Sequence, residues 1–514
     1  MAELSDRPFP PGSYPVIVIG SGPGGLQVSY SLDRLGVQHA VLSADDGPGG
    51  MFRRWPFFQR LLSWTKPYAP VERSDPAYER YDWNSLLADE PAHRAIMPEL
   101  MDGTSYFPSR PAMELNLATF AERTNVHVRY GCRWTATKRD SGPEPGFVVE
   151  TTDGEYRTGI VIVAVGVAQP QLPPTPGIEL AAHYAETRPA EEYADRRVFI
   201  IGKQNSGFEL ASGLLPWARR IVVASPSPTK LSVNTRSLVG VRARYVQPIE
   251  DHVLGGGVAV LDAAIQGISR LANGALEVRA RPSAGGDELA FEVDDVIAAT
   301  GFVTPLVDLA DLGVATFGQS RLPAQTPYWE SASVPGVFFA GTITQGSAGL
   351  KKHGLPSNSG AVHGARYNAR LLARHIARTR FDVPGASERP AVEPARLVEM
   401  LVGQLSSSPE LWHQRAYLAR VVSLDPTAGP RDEGLVPLAA FVDAAGDDGQ
   451  GDALAVTLEA DGSGAVYPVV YARRGTSIDE HAFEPDLLLR YDTPAVRDRL
   501  AAALAPFGIG PSDG

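Results

Sequence analysis

Two glycine turns, each set between an apolar run and a helical stretch, constrain this chain more than any other feature. The first, Gly20-Ser21-Gly22-Pro23-Gly24-Gly25, follows Val16-Ile17-Val18-Ile19 and opens a helical stretch that ends near Gly36. The second, Gly202-Lys203-Gln204-Asn205-Ser206-Gly207, follows Val198-Phe199-Ile200-Ile201 and leads into Phe208-Glu209-Leu210-Ala211. Strand, tight turn and helix in that order place backbone N–H groups at a helix N-terminus, where the dipole favours a pyrophosphate that needs a path free of side chains. One such turn is a weak signal. Two in one chain imply two dinucleotides held face to face, a flavin and the nicotinamide that reduces it.

At 514 residues the chain exceeds what one core can serve and divides into two or three domains. A formal charge of -12 and a pI near 5.4 argue against nucleic acid and an anionic membrane as partners, which leaves a small molecule. The N-terminus lacks a basic start followed by an apolar core, and no segment reaches the roughly 18 unbroken apolar residues of a membrane helix, so a soluble, cytoplasmic protein is expected. The single cysteine, Cys132, cannot form an internal disulfide or a dithiol redox centre. No zinc-ligand spacing is visible, and the chemistry falls to the flavin.

Along the chain, Met51 to Pro111 is rich in Trp, Tyr, Phe, Arg and Pro without a sustained period, which predicts long loops beside the nucleotide site. Continuous apolarity predicts a buried parallel strand over Gly159–Gly166. Strands at Asp295–Gly301 and Val337–Gly341 are expected to return to the first domain, closed by a helix from about Asn358 to Arg378 with Asn358 or Ser359 as its cap. The expected fold class is α/β, with two Rossmann-like domains, the second inserted in the first: residues 13–180 and 295–384 for the flavin, 181–294 for the nicotinamide. Residues 385–514, shifted towards Ala, Asp and Gly with mixed helix and strand signals, form an α+β extension of unassigned role.

In these motifs the sequence resembles the two-dinucleotide-binding-domain flavoproteins and, within them, the flavin-containing monooxygenase group with its amino-acid N-hydroxylase relatives. The resemblance covers roughly residues 14 to 380 and also rests on Gly49-Gly50, Ala164-Val165-Gly166, Ala299-Thr300-Gly301-Phe302 and Gly336-Val337-Phe338-Phe339-Ala340-Gly341. It implies FAD at Gly20, Ser21, Gly22, Pro23, Gly24 and Gly25, and further along at Ser43, Asp45, Gly50, Met51, Trp134, Gly166, Gly341 and Thr342. It implies NADPH at Gly202, Gln204, Asn205, Ser206 and Ser225, with Thr300 and Gly301 at the domain crossing. Three departures stand out. Ser43 occupies the place of the usual ribose-binding acid, so Asp45 or a water takes over. Gln204 replaces the middle glycine of the second turn, and Thr342 replaces an aspartate, which the monooxygenases tolerate better than the reductases do.

The end of the second strand of the nicotinamide unit offers Ser225, Lys230 and Arg236 and no carboxylate, which favours the 2'-phosphate of NADPH. Lys351, Lys352 and His353 follow a glycine-rich turn, and with Arg53, Arg54 and Lys66 they are candidates to hold an anionic substrate or the charge of reduced flavin. The competing reading is a solvated basic loop. His183 is expected to pack rather than to act as a base. Taken with the resemblance, the expected activity is NADPH-consuming oxygenation of an amine or amino acid by O2 through a C4a-hydroperoxyflavin, in a bacterial biosynthetic pathway. A flavin reductase without oxygen insertion and a non-catalytic flavoprotein scaffold are the alternatives, and homodimerisation is left open.

Overall fold

The computed structural model describes residues 7–56, 60–142, 146–229, 257–319, 321–355, 357–446 and 451–509. Val16–Ile19 lies at the centre of a parallel sheet, flanked by His39–Leu42 on one side and by Ile160–Val163, then Val337–Phe339, on the other. Val16, Ile17 and Val18 are completely buried, which explains why the strand is apolar without alternation: both faces of a parallel sheet are covered. The helix Pro23–Arg34 packs against the long helix Val362–Arg380 on one face. On the other lies a three-stranded antiparallel sheet, Trp134–Arg139, Phe147–Thr151 and Gly154–Thr158.

The second sheet has, among the described residues, the order Leu289–Val293, Leu276–Pro282, Val258–Arg270, Arg220–Ser225, Arg197–Ile201, Asp295–Ala298 and Ala182–His183. Asp295–Ala298 therefore pairs with Val198–Ile201 and belongs here, which corrects the expectation that it returns to the first sheet. An apolar run announces a buried strand but carries no information about its neighbour. The segment 51–111 is largely irregular as expected, yet it is packed: Leu86, Leu87, Ile96 and Met97 join the first domain's core, and a helix, Arg110–Arg123, capped by Ser109, begins at its end.

Beyond residue 385 an antiparallel sheet runs in the order Gly429–Pro437, Leu418–Asp425, Ala453–Ala460, Val466–Arg474 and Ser477–Ala482. Helices Pro394–Ser407 and Pro494–Leu504 bury Leu397, Leu401, Leu500 and Leu504 on one face of it. On the other face, Leu438 and Phe441 are joined by Leu350, which comes from the first domain.

The joint between this domain and the first turns on Tyr417. Its ring leaves no room for a side chain at residue 349, where a Cβ would lie 2.6 Å away and where φ is +58°. Its hydroxyl donates to the Ser347 carbonyl at 3.2 Å and accepts from Nε1 of the fully buried Trp329 at 3.0 Å. Tyr417→Phe strands both partners and is expected to cost about 1–3 kcal/mol, read as a lower urea midpoint. A midpoint equal to wild type would show the joint to be held elsewhere.

Candidate functional site

The first glycine turn is shaped by backbone contact. A Cβ on Gly20, whose φ is +116°, would lie 2.6 Å from the Ala164 carbonyl oxygen; on Gly24 it would lie 2.3 Å from the Gly341 Cα, and on Gly25 1.9 Å from the Gly20 oxygen. Gly22 differs: a Cβ there meets nothing closer than the Gly50 Cα at 4.0 Å. It stands at the N-terminus of Pro23–Arg34, which among the described residues has no side-chain cap, so the first-turn N–H groups are left to an outside acceptor. An uncapped helix end behind an open glycine suits a pyrophosphate, and these residues fit FAD. Gly20 to Gly24, Ser43, Asp45, Gly50, Met51, Trp134, Gly166, Gly341 and Thr342 all border one cavity of about 680 Å³. Ser43 is engaged within the protein, its Oγ 2.8 Å from that of Ser21 and accepting from the Asp45 N–H at 3.2 Å. Asp45 in turn faces Arg54 at 3.6 Å.

The second turn repeats this geometry. A Cβ on Gly202 would lie 2.4 Å from the Ala299 oxygen, and one on Gly207 2.0 Å from the Gly202 oxygen, the counterparts of the Gly20 and Gly25 approaches. Gln204 takes the place of Gly22 with an extended backbone, so its φ requires no glycine, and it is exposed. Lys203, at the place of Ser21, is buried and ion-paired with Asp262. Asp262 lies in register with Ser225 on the neighbouring strand. That puts a carboxylate beside the ribose end of the site, where only hydroxyls and cations were expected; it was hidden because it comes from a strand nearly forty residues later. Its charge is met by Lys203. Lys230 and Arg236 lie outside the described residues. Asn205 and Ser206 border the same cavity as the first turn, so one space connects the two nucleotide sites.

Aromatic and buried polar groups wall this space. Phe302, just past the crossing at Thr300 and Gly301, stacks on Trp55 with ring centroids 4.2 Å apart and meets His183 edge-on. His183 Nδ1 accepts from the Ala185 N–H and Nε2 donates to the Gly301 carbonyl, so the ring is a structural tie, and burial lowers its pKa. Tyr184 donates to Glu209 at 2.8 Å, and both border the cavity. At the far wall His363 stacks on Trp83, with centroids 4.2 Å apart, and among the described residues neither ring nitrogen has a hydrogen-bond partner. Burial, helped by Arg366 and Arg415, pushes its pKa down to about 3. This histidine carries no sequence signal beyond its place in the helix. Cys132 is buried, which raises its thiol pKa and keeps it a thiol.

The expected substrate cations do not gather here. Lys352 is ion-paired with Glu459, at 2.9 Å, and with Glu480, both from the C-terminal domain. His353 Nε2 lies 2.8 Å from the Tyr467 hydroxyl of the same sheet. Glu459 is fully buried, and its charge requires these cations. Lys351 is exposed beside them, Lys66 is exposed on its own loop, and none of the four borders the cavity. The placement of Lys351, Lys352 and His353 against an anionic substrate is thus corrected to a docking role for Lys352 and His353. Arg53 is met by Asp46 at 2.9 Å, and of the cations named in advance Arg54 does border the cavity.

The model of the family described as pyridine nucleotide-disulphide oxidoreductase matches residues 17–341. The chain is 26% identical over 440 residues to mouse (Mus musculus) FAD-dependent oxidoreductase domain-containing protein 2, covering 80% of this chain but 64% of that protein, under two thirds of its length. It is 30% identical over 210 residues to a ferredoxin–NADP reductase of Bradyrhizobium sp., covering 39% of this chain and 57% of that one. Among solved structures, bacillithiol disulfide reductase from Bacillus cereus shares the fold with TM-score 0.53 and 22% identity, over 71% of this chain and 99% of that one. A flavin-containing monooxygenase from Stenotrophomonas maltophilia does so with TM-score 0.51 and 21% identity, over 71% and 98%.

Two outcomes follow from the geometry. A Cβ at Gly22 meets no protein atom closely, and Gly22→Val blocks the open side of the turn, so the variant is expected to fold and purify colourless and the wild type yellow; a yellow variant with full flavin content would place FAD elsewhere. The second concerns acid. An unfolded imidazole titrates near 6.5 and that of His363 near 3, so unfolding takes up a proton below pH 6.5. The stability His363 contributes by staying neutral is complete above that pH and falls by about 1.4 kcal/mol per unit as pH drops from 6.5 towards 3. His363→Phe keeps the stacking and is expected to flatten the loss between pH 7.5 and 5 in urea melts; an unchanged slope would mean that His363 is already protonated in the fold.

Proposed function

Because the chain belongs to the pyridine nucleotide-disulphide oxidoreductase family, whose cofactors FAD and NADPH fit its two turns, we propose that it is a flavin-dependent monooxygenase that spends NADPH and O2 to oxygenate a small nucleophile, an amine or amino acid. The observation that carries this reading is the single cavity of about 680 Å³ reaching from Gly22 to Asn205, in a chain with one cysteine. The family's disulphide chemistry needs a dithiol to receive electrons, and this chain has none to offer. On this reading electrons arriving from the nicotinamide side leave to a small acceptor held beside the flavin. FAD, when bound, supplies the hydride acceptor and the oxygen activation.

The protein's own part is positional. The two uncapped helix ends hold pyrophosphates, and Phe302, backed by the stacked Trp55, gives the cavity apolar walls with Leu61 and Leu86 that exclude water and so limit loss of reducing equivalents to solvent. Arg54, exposed at the rim beside Asp45, is one of the arginines bordering the cavity that can meet a substrate carboxylate. The relationship to a ferredoxin–NADP reductase supports a second reading, electron transfer to an acceptor protein without oxygen insertion.

Turnover of a panel of amines and amino acids under labelled O2 separates the two. The expected result is one labelled oxygen atom in a product for each NADPH oxidised. Reduction of ferredoxin with no label in any organic product would replace the monooxygenase reading by the reductase one.

A further inference from the structure

Apart from bonds to Glu79 and Trp329, the polar anchors that the C-terminal domain's Trp412–Tyr417 segment sends into the first domain land, among the described residues, on one stretch of chain, residues 346–368. Gln414, fully buried, is the centre of it. Its Nε2 donates to Ser359 Oγ at 3.0 Å, to the Gly364 carbonyl at 3.2 Å and to Asn368 Oδ1 at 2.8 Å, and its Oε1 accepts from the Asn358 N–H at 3.0 Å. Asn358 also donates through Nδ2 to the His413 carbonyl at 2.5 Å. Asn368 passes the network on, donating to Ser359 Oγ at 2.9 Å and to Thr344 Oγ1 at 2.8 Å, two residues past Thr342.

The front of this same stretch faces the cofactor cavity. Gly360, Ala361, Val362 and His363, the N-terminus of the Val362–Arg380 helix, border it together with Gly22, Gly341 and Thr342. The helix begins at Ala361 without a side-chain cap. Asn358 and Ser359, the residues whose types would cap it, have their side chains turned back instead, Asn358 to the His413 carbonyl and Ser359 to Gln414 and Asn368. An uncapped N-terminus of a 19-residue helix favours negative charge at its end, and the alignment of that end is set from behind by a residue of another domain.

We propose that Gln414 is a positioning residue of the flavin site: it fixes the helix N-terminus at the cavity and thereby raises the affinity for the anionic, reduced cofactor above that for the oxidised one. The C-terminal domain is in this sense a wall of the flavin site rather than an appended module. The proposal rests on FAD binding in the cavity and not on the oxygenation reading, so either can fail alone.

The test uses the full chain reconstituted with FAD and reads two quantities, the dissociation constant for oxidised FAD and the two-electron midpoint potential. Gln414→Met keeps the volume and removes all four hydrogen bonds. Ser359→Ala removes the loop's side-chain acceptor for both Gln414 and Asn368 and is the deciding variant should Gln414→Met fail to fold. Tyr491→Phe, which loses hydroxyl contacts inside the C-terminal domain, among them the bond to the Val466 carbonyl, controls for general loosening of that domain. The expected result is that Gln414→Met and Ser359→Ala bind reduced FAD tenfold or more worse relative to oxidised FAD, a midpoint lowered by about 30 mV per tenfold, while Tyr491→Phe keeps the wild-type potential. Equal weakening of both redox states, an unchanged midpoint, or the same shift in Tyr491→Phe would overturn the proposal and leave Gln414 a structural contact.

Discussion

The contact on which the rest of this molecule depends is between two backbones. Gly24, in the first turn of the first helix, lies so close to Gly341 that a methyl group would fall 2.3 Å from its Cα. No side chain can hold such a contact, and no hydrogen bond is needed for it; it requires only that both residues lack a Cβ. It fixes the end of the strand Val337–Phe339 against the start of Pro23–Arg34, two segments more than three hundred residues apart in sequence. Everything the cavity needs from the later part of the chain is placed by that contact: Thr342 beside it, the loop to residue 360, and the long helix that packs back on Pro23–Arg34.

That loop then becomes a liability, because a glycine-rich connection of some twenty residues has too much conformational entropy to hold a helix end still. The C-terminal domain supplies the restraint. Tyr417 presses on Gly349, Leu350 enters the domain's core, Lys352 and His353 meet Glu459 and Tyr467, and Gln414 holds Asn358 and Ser359. The buried Glu459 is costly without a cation, which makes the Lys352 contact specific in register as well as stabilising. An acidic chain thus spends its few clustered cations on an internal joint.

Much of the site was legible in sequence because a pyrophosphate cradle is a local demand. Strand, turn and helix are contiguous, and the glycines at 20, 22 and 25 can be read from spacing alone. The same holds for the second turn, where the repeat of the carbonyl approaches at Gly202 and Gly207 shows that Gln204 changes the surface of the turn and not its path. What was not legible is non-local. Asp262 reaches Lys203 through a strand pairing that no motif announces, Asp295–Ala298 reads as a strand but not as a strand of a particular sheet, and the partners of Lys352 lie more than a hundred residues away. A run of cations beside a glycine turn looks the same in sequence whether it faces a ligand or another domain.

The mirrored turns also bear on how the two halves divide the work. In the first, Ser21 and Ser43 pair with one another, a neutral arrangement close to the cofactor that leaves the pyrophosphate to backbone N–H groups. In the second, the equivalent place holds Lys203, whose ammonium is tied to Asp262. A surface lysine can swing to a phosphate; a buried one whose partner sits two strands across the sheet cannot do so without leaving a carboxylate unpaired. The second site therefore also relies on backbone and helix dipole, with Gln204 at its mouth in place of an open glycine. The first turn is closed round by Gly50, Met51 and Gly341 and suits a resident group, while the second is exposed at Gln204 and open to exchange. That asymmetry is what a bound flavin and a passing nicotinamide require of one scaffold used twice.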